Sequence, residues 1–263
     1  MDLGLRGKVA LVAAASRGLG RAIAEELAAE GAALAICARG AEALERAREE
    51  IAARTGAEVL AVAVDVSRPD EVARLTADVM ARFGRVDVLV TNAGGPPPGP
   101  FEAHDRAAWD AAYALTLRSV VELVRPLLPG MKERRWGRII NVTSMAVKQP
   151  ADNLILSNSL RAAVTGFART LANEAAPFGV TVNNILPGYT RTERLDALAD
   201  AAVRSGAGTR EEMFARWESQ IPMRRIGEPR EFAALAAFLA SERASYLTGQ
   251  SIAVDGGWVR SLL

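Results

Sequence analysis

The alternation of short apolar runs with longer helical segments is the feature that most constrains the fold of this chain. Apolar runs occur at 9–14, 32–38, 59–64, 86–90, 138–142, 180–186 and 251–254. The segments between them mix small apolar residues and charges at helical spacing: 21–30, 42–55, 70–83, 107–128, 158–176 and 229–240. Continuous apolar runs are typical of strands buried on both faces, and intervening helices form the crossovers of a parallel sheet. The pattern predicts an α/β fold, with a seven-stranded, doubly wound parallel sheet and helices on both faces.

The ends of these segments indicate how the chain is organised. Gly31 and Gly56 follow two helical segments as C-terminal stops, and Pro69 opens a third. No long Pro/Gly linker or repeat divides the chain, so we expect a single Rossmann-type domain over residues 1–263. The stretch 190–225 breaks the alternation with helical pieces and the sequence Ser205-Gly206-Ala207-Gly208. We expect this insertion to act as a substrate lid.

Composition excludes several classes of partner. The formal net charge is +1, which gives no electrostatic reason to expect binding to nucleic acid or to an anionic membrane. The apolar run 9–15 is too short to span a bilayer. The single cysteine, Cys37, cannot form an internal disulfide, which suits a reducing cytoplasm, and the single histidine, His104, leaves no histidine-rich metal site. We therefore expect a cytoplasmic protein with no metal, nucleic acid or membrane partner, a Cys37 that packs in the core and a His104 at the surface.

The junction between the first strand and the first helix predicts a phosphate site. Ligands of doubly wound sheets bind at the carboxyl ends of strands, and Gly18 and Gly20 lie in the first such turn. Glycines there let the backbone approach a pyrophosphate at the helix N-terminus, although glycine turns also occur without a ligand. Arg39 follows the second strand, where a cation accommodates a ribose 2′-phosphate, and Arg17 adds a second cation. Two ordinary surface arginines are the alternative interpretation.

Six sequence pieces, each placed after a predicted strand or near the C-terminus, resemble the short-chain dehydrogenase/reductase family. They are Ser16-Arg17-Gly18-Leu19-Gly20, Asp65-Val66, Asn92-Ala93-Gly94, Val142-Thr143-Ser144, Pro187-Gly188, and Leu247-Thr248-Gly249-Gln250 with Asp255-Gly256-Gly257. Six pieces in order are far more specific than one glycine turn. The resemblance spans about residues 5–258 and favours the 3-oxoacyl-acyl-carrier-protein reductase-like group.

The resemblance implies a cofactor site built from several strand ends. Its residues are Ala14, Ser16, Arg17, Gly18, Leu19 and Gly20 in the glycine turn, Arg39, Asp65 and Val66 at the adenosine, Asn92, Ala93 and Gly94 at the ribose and fourth strand, and Pro187, Gly188, Thr190 and Thr192 at the nicotinamide. The two arginines make NADP(H) preferred over NAD(H). Where the family has Thr-Gly at the start of the turn, this chain has Ala13-Ala14, and alanine resists the positive φ that glycine permits. We expect weaker or reshaped cofactor binding.

The catalytic set of the family, Asn, Ser, Tyr and Lys, is preserved here at one position. Ser144 matches the serine. The tyrosine position, thirteen residues later, is Ser157, the lysine position is Arg161, and the asparagine position is Thr116. The family pattern continues without a gap after Arg161, so the register is not an alignment slip. The resemblance therefore implies a divergent catalytic site.

This replacement removes the usual proton donor. The tyrosine of the family protonates the carbonyl oxygen, whereas the Ser157 hydroxyl is a much poorer acid and Arg161 keeps a charge without relaying a proton as lysine can. Tyr189, directly after the sixth strand, is a hypothetical replacement donor, but a wall of the substrate pocket is the preferred interpretation. Lys148 is better explained as a solvated loop charge. Ser144 is expected to orient the substrate.

Three functions remain open from the sequence. The first is an NADP(H)-dependent oxidoreductase acting on a small carbonyl or secondary alcohol with an atypical proton relay. The second is a catalytically inactive dinucleotide-binding sensor or regulatory subunit, and the third is a structural partner that no longer binds cofactor. Preserved strand-end residues favour the first. Residues 115–127 and 162–171 are apolar on more than one face, so a homodimer or homotetramer is expected.

Overall fold

The computed structural model describes residues 2–204 and 206–262, and within them seven parallel strands form one sheet in the order β3-β2-β1-β4-β5-β6-β7. The strands are β1 (Val9–Ala13), β2 (Ala33–Ala38), β3 (Val59–Ala63), β4 (Val88–Thr91), β5 (Gly137–Val142), β6 (Val180–Pro187) and β7 (Ser251–Val254). The helices are α1 (Gly18–Ala29), α2 (Ala41–Thr55), α3 (Pro69–Phe83), α4 (Arg106–Tyr113), α5 (Ser119–Glu133), α6 (Ile155–Ala175), α7 (Glu193–Arg204), α8 (Arg210–Gln220) and α9 (Pro229–Ala240). The predicted doubly wound sheet is confirmed, and its strand order reverses between β1 and β4.

Two apolar layers cover the sheet, and β1 shows why its sequence is continuously apolar. Ala10 and Val12 pack into the layer that contains α1, α2 and α9, while Leu11 and Ala13 pack into the layer that contains α3, α5 and α6. All four side chains are fully buried. A strand buried on both faces has no polar face, so it shows no alternation.

The segment expected to form one helix over 107–128 differs from that expectation. A π-helical turn (Ala114–Arg118) separates α4 from α5, and α5 continues to Glu133 past Pro126 and Pro129. The buried side chain of Met131 holds this last part of α5 against the core, so tertiary packing extends the helix beyond its prolines. A π-helical turn inserts one extra residue and is frequent at functional sites.

The 190–225 insertion carries α7 and α8. Of the glycine-containing stretch between them, Ser205 lies outside the described residues, and Gly206 and Gly208 have φ angles of +80° and +116°. Thr209 begins α8 with a capping box, in which its hydroxyl accepts a hydrogen bond from the Glu212 amide. The insertion packs around a small apolar cluster of its own, which includes Leu195.

Four expectations concern features away from the predicted site. Cys37 is completely buried in β2, as expected for a packing residue, and burial raises the pKa of its thiol to about 12. In the part of the chain that the structure describes, no helix combines the length and apolar character needed to cross a bilayer, and no three His, Cys, Asp or Glu side chains gather as a metal site would require. His104, expected at the surface, is only partly exposed because it packs against Gly99.

Candidate active site

The glycine turn after β1 folds tightly although its first glycine position is occupied by alanine. Ala14 has a φ of +53° and therefore adopts the left-handed conformation that its methyl group disfavours. A Cβ atom on Gly20 would lie 2.3 Å from the Ala14 carbonyl oxygen and 2.9 Å from the Asn92 Nδ2 atom. The alanine thus keeps the backbone conformation that a glycine would favour, and Gly20 lets α1 pack closely against its carbonyl group. Its effect on cofactor affinity stays a prediction.

Two arginines lie at the carboxyl ends of the neighbouring strands β1 and β2, beside this turn. Arg17 is the extended residue before α1, and Arg39 directly follows β2; both side chains are exposed. Within residues 2–204 and 206–262, neither guanidinium lies within salt-bridge distance of a carboxylate. Partial burial opposes ionisation of Asp65, but hydrogen bonds from the Ser67 amide and hydroxyl, with the Arg39 charge, hold the pKa of Asp65 below its usual value. The two free cations suit a phosphorylated ribose.

Residues of the 190–225 insertion approach the same turn. The Thr192 Oγ1 atom donates to the Thr190 carbonyl at 3.3 Å, and its methyl group lies 3.6 Å from where a Cβ on Gly18 would stand. A Cβ on Gly188 would lie 2.6 Å from the Asp255 Cα atom, so the end of β6 needs glycine. The insertion and the glycine turn therefore border one cavity, which is lined by Gly18, Arg21, Ala22, Glu25, Arg191, Thr192, Glu193, Asp196 and Pro229.

Ser157 and Arg161, one turn apart on α6, contact each other. The Arg161 Nε atom donates to the Ser157 Oγ atom at 3.2 Å. The Arg161 Nη1 atom donates to the carbonyl oxygens of Val142 at 3.0 Å and Thr143 at 2.8 Å, which fixes the guanidinium at the end of β5. Burial and the nearby Arg194 charge lower the pKa of Arg161 to about 10, so the guanidinium is charged at neutral pH.

A small cleft beside Arg161 holds two hydroxyl groups that have no hydrogen-bond partner among the described residues. They are the Oγ1 atoms of Thr116, on the π-helical turn, and Thr143, after β5. The cleft is lined by Thr91, Asn92, Ala93, Gly94, Thr116, Ser119, Val120, Val142, Thr143, Arg161 and Val164. Buried hydroxyls normally find a partner, so this cleft is prepared for a polar group. Thr116, Arg161 and the Asn92–Gly94 segment thus line one cleft, and their roles there stay predictions.

The remaining candidates divide between the site and its walls. The Ser144 Oγ atom accepts a hydrogen bond from the Ala146 amide at 3.1 Å, and Lys148 is exposed as a loop charge. The Tyr189 ring stacks on Trp217 at 5.2 Å between centroids, with an interplanar angle of 17°. Burial raises the pKa of the Tyr189 phenol, which makes it a weaker acid. Tyr189 thus packs against the small apolar cluster of the insertion, and its expected place in the wall of a substrate pocket stays a prediction.

Sequence reasoning missed Arg194, on the first turn of α7. Its Nη2 atom donates to the Pro96 carbonyl oxygen at 3.2 Å, on the loop that follows Gly94. Its charge reaches Arg161, whose pKa it helps to lower. The sequence pieces that carry the family resemblance do not include this part of the insertion, so no motif marks Arg194. Its position two residues after Thr192 is the one signal that could have drawn attention to it.

Comparisons with known proteins agree with this geometry. The chain matches the family model described as enoyl-(acyl carrier protein) reductase over residues 13–259. It is 32% identical over 256 residues to the NADPH-dependent reductase BacG of Bacillus subtilis, covering 97% of this chain and 99% of that protein. It is 37% identical over 253 residues to the 3-oxoacyl-[acyl-carrier-protein] reductase FabG of Staphylococcus epidermidis, covering 95% and 98% of the two chains.

Solved structures extend the similarity to the whole fold. The L-sorbose reductase from Gluconobacter frateurii, complexed with NADPH and L-sorbose, gives a TM-score of 0.95 at 35% identity and full coverage of both chains. A doubly wound sheet with a glycine turn at its switch point defines a dinucleotide-binding protein of the Rossmann type. The chain belongs to the short-chain dehydrogenase/reductase family and is similar to its 3-oxoacyl-acyl-carrier-protein reductases.

Proposed function

We propose that this protein is an NADP(H)-dependent oxidoreductase that interconverts a small carbonyl compound and a secondary alcohol through an atypical proton relay. The observation that carries the proposal is the contact between Ser157 and Arg161, held by Arg161 against the end of β5. This pair occupies the positions of the family's tyrosine and lysine and keeps a hydroxyl beside a fixed cation.

The cofactor would be held by the glycine turn and by the two arginines beside it. Gly20 lets the first turn of α1 pack closely on the Ala14 carbonyl group. Among the described residues, Arg17 and Arg39 have no carboxylate within salt-bridge distance and offer their guanidiniums to a 2′-phosphate. The preference for NADP(H) over NAD(H) rests on these two cations, and it agrees with the NADPH named for BacG and for the sorbose reductase complex. Bound NADPH supplies the hydride.

The protein's own part is to stabilise and protonate the carbonyl oxygen. Ser157 accepts its hydrogen bond from Arg161, so its O–H is left to donate to a substrate oxygen. The alkoxide formed by reduction is about as basic as a serine alkoxide, and the adjacent Arg161 charge favours transfer of the Ser157 proton to it. Solvent then returns a proton to Ser157. Overall, a carbonyl, NADPH and one proton give an alcohol and NADP⁺.

Two further groups have supporting parts in this scheme. Ser144 would orient the carbonyl. The Thr116 hydroxyl, which has no hydrogen-bond partner in the described part of the chain, would hold a polar atom beside Arg161. Tyr189 is the rival proton donor, but its raised pKa and its stack on Trp217 favour a role in the pocket wall.

The second candidate function is a dinucleotide-binding sensor without turnover, favoured by the absence of a tyrosine at position 157. The third, a partner protein without cofactor, rested on Ala13-Ala14 and loses support because Ala14 keeps the glycine-like backbone.

Titration with NADPH and NADH, followed through energy transfer from tryptophan, separates the third function from the other two. A carbonyl screen of wild type beside the Ser157→Tyr/Arg161→Lys double variant separates an enzyme from a sensor. Turnover by the wild-type protein identifies an enzyme. Turnover by the double variant, with none by the wild-type protein, identifies a sensor.

We also propose a homodimer or homotetramer built through the helices after β4 and β5. On α6, the small apolar residues Ala162, Ala163 and Gly166 are exposed and form a surface on which another helix can pack closely. Light scattering tests this proposal, and a monomer at micromolar concentration would contradict it.

A further inference from the structure

A guanidinium from the π-helical turn holds the loop that follows β3. Arg118, the last residue of that turn, is half-buried, and its Nη2 atom donates to the Ser67 carbonyl oxygen at 2.8 Å. The two residues are 51 positions apart in the chain. This hydrogen bond therefore joins the turn that carries Thr116, in the small cleft, to a loop at the carboxyl end of another strand.

Ser67 in turn orients the carboxylate of Asp65. The Ser67 amide and hydroxyl both donate to the Asp65 Oδ1 atom, at 2.9 Å and 2.7 Å. In the part of the chain that the structure describes, the Asp65 Oδ2 atom accepts no hydrogen bond. Asp65 is partly exposed, so this second oxygen is available to a donor from outside the chain.

Asp65 also lies at the same sheet edge as the arginine proposed for the 2′-phosphate. β2 and β3 run parallel, with Ala38 paired to Ala63. The Val64 amide continues this ladder by donating to the Ala38 carbonyl at 3.0 Å. Arg39 and Asp65 therefore leave the sheet together. In a nucleotide, the amino group is the one hydrogen-bond donor of the adenine ring, and a carboxylate oxygen is the acceptor suited to it.

The contacts of Arg118 are not those of a residue kept for stability alone. Its Nε atom is buried and has no hydrogen-bond partner among residues 2–204 and 206–262. A buried donor without a partner costs free energy. The carbonyl group that Arg118 holds belongs to Ser67, which is itself partly exposed. We therefore expect removal of the guanidinium to leave the stability of the fold nearly unchanged.

We propose that Arg118 is a positioning residue for the cofactor, which holds the Ser67 carbonyl so that the Asp65 carboxylate meets the amino group of adenine. This inference rests on the proposed function, since it takes NADP(H) to bind with its adenine beside Asp65. Arg118 does not itself touch the adenine. It acts through the loop after β3, so its loss should be felt by ligands that carry the amino group and not by those that lack it.

The test compares NADPH with its deamino analogue. In that analogue hypoxanthine replaces adenine, so that a carbonyl oxygen stands where the amino group was. Dissociation constants are measured by fluorescence titration through energy transfer from tryptophan, and the result does not depend on turnover. We expect wild type to bind NADPH about 10-fold more tightly than the analogue, as for a hydrogen bond to a charged group.

The variants are Arg118→Met, Arg118→Lys and the control Arg74→Met. Arg118→Met should weaken NADPH by about 10-fold and change the analogue by less than about twofold, so that the preference disappears. Arg118→Lys keeps a donor for the Ser67 carbonyl and should recover part of the preference. Arg74 also donates to a carbonyl at this strand end, that of Ala63 at 2.7 Å, and Arg74→Met should match wild type.

A second comparison asks whether Arg118 acts through Asp65. Asp65→Asn keeps an oxygen for the Ser67 donors and replaces the other oxygen with an amide nitrogen, which cannot accept. In this background Arg118→Met should cost no further NADPH affinity, because both substitutions remove the same hydrogen bond. Urea unfolding of each variant accompanies the titrations. If Arg118→Met does not fold, Arg118→Gln, whose side chain is two atoms shorter, is tested in its place.

Failure of this inference is distinguishable from failure of the proposed function. The inference is overturned if Arg118→Met leaves both affinities unchanged or weakens both ligands equally. A wild type that binds the two ligands equally well, or an equal loss of preference in Arg74→Met, overturns it too. Each of these outcomes leaves the oxidoreductase standing. NADPH binding without turnover of any carbonyl overturns the oxidoreductase alone, and absence of binding by either dinucleotide overturns both.

Discussion

Ala14 holds a left-handed backbone directly beneath Gly20, at a distance that leaves no room for a Cβ atom on the glycine. Alanine in this conformation costs about 1–2 kcal/mol. Replacing Ala14 with glycine removes that cost but raises the entropy of the unfolded chain, worth about 0.4–1 kcal/mol. We expect Ala14→Gly to stabilise the protein by about 0.5–1 kcal/mol in urea unfolding and to leave NADPH binding intact or tighter. The control Ala13→Gly, at the buried end of β1, should destabilise; equal effects of the two substitutions would contradict this account.

The arginine that follows β2 gives a prediction about cofactor choice. Arg39 is exposed and free of an ion pair among the described residues, so a 2′-phosphate is its natural partner. Arg39→Asp should weaken NADPH binding by about 10- to 100-fold through lost charge-assisted hydrogen bonds, and the new carboxylate should improve NADH binding. Fluorescence titration measures both constants. Arg6→Asp, which makes the same charge change at an exposed arginine of the N-terminal segment, is the control and should affect neither cofactor.

Much of this fold could be predicted because both kinds of element leave a strong pattern. β1 is apolar throughout since both of its faces are buried, and β7 and α9 have the bounds that their sequences indicate. The helix after β4 could not be predicted in detail. Its π-helical turn and its passage through Pro126 depend on packing against the core, which local propensity does not contain.

The candidate site divides in the same way. Residues directly after strands, such as Arg39 and Arg161's partner Thr143, are placed by the topology of a parallel sheet. Arg194 escaped prediction because it reaches the site from an insertion without a motif. Its contact with Pro96 depends on how α7 packs, and nothing local in the sequence specifies that packing.

The proton relay predicts an unusual dependence on pH. A guanidinium whose pKa is lowered to about 10 stays charged as pH rises to about 9, and its charge is lost as pH passes through 10. We therefore expect kcat for carbonyl reduction to be flat between about pH 6 and 9 and to fall near pH 10.

Ser157→Ala should lower kcat by about 10²-fold with NADPH affinity unchanged, as for loss of one oxyanion donor. Ser159→Ala removes an exposed hydroxyl of the same helix and is the matched control. A rate that follows a group titrating near pH 7 would rule out this relay.

The aromatic stack predicts that the Tyr189 ring matters and its hydroxyl does not. Tyr189→Phe should keep kcat within about twofold, because the stack on Trp217 needs only the ring. Tyr189→Ala removes an aromatic pair worth about 0.5–1.5 kcal/mol and should raise KM. Steady-state kinetics on both variants decide the point. A large fall in kcat for Tyr189→Phe, with KM unchanged, would instead make Tyr189 the proton donor.

The buried thiol of Cys37 gives a prediction about stability that does not depend on function. Burial raises the pKa of this thiol from 9.0 to about 12, so the folded protein keeps it protonated where an unfolded thiol ionises. A raised folded pKa means that stability is unaffected below about pH 9 and declines as pH rises from there toward 12. At pH 8.5, iodoacetamide should therefore label the native protein far more slowly than the protein in urea, since only the thiolate reacts. Mass spectrometry of timed samples measures both rates.

Cys37→Ser should label in neither state, and it should unfold at lower urea concentration because a hydroxyl replaces a thiol among apolar neighbours. Rapid labelling of the folded wild type would contradict this account. It would show that β2, which lies between two apolar layers, opens often enough to expose the thiol.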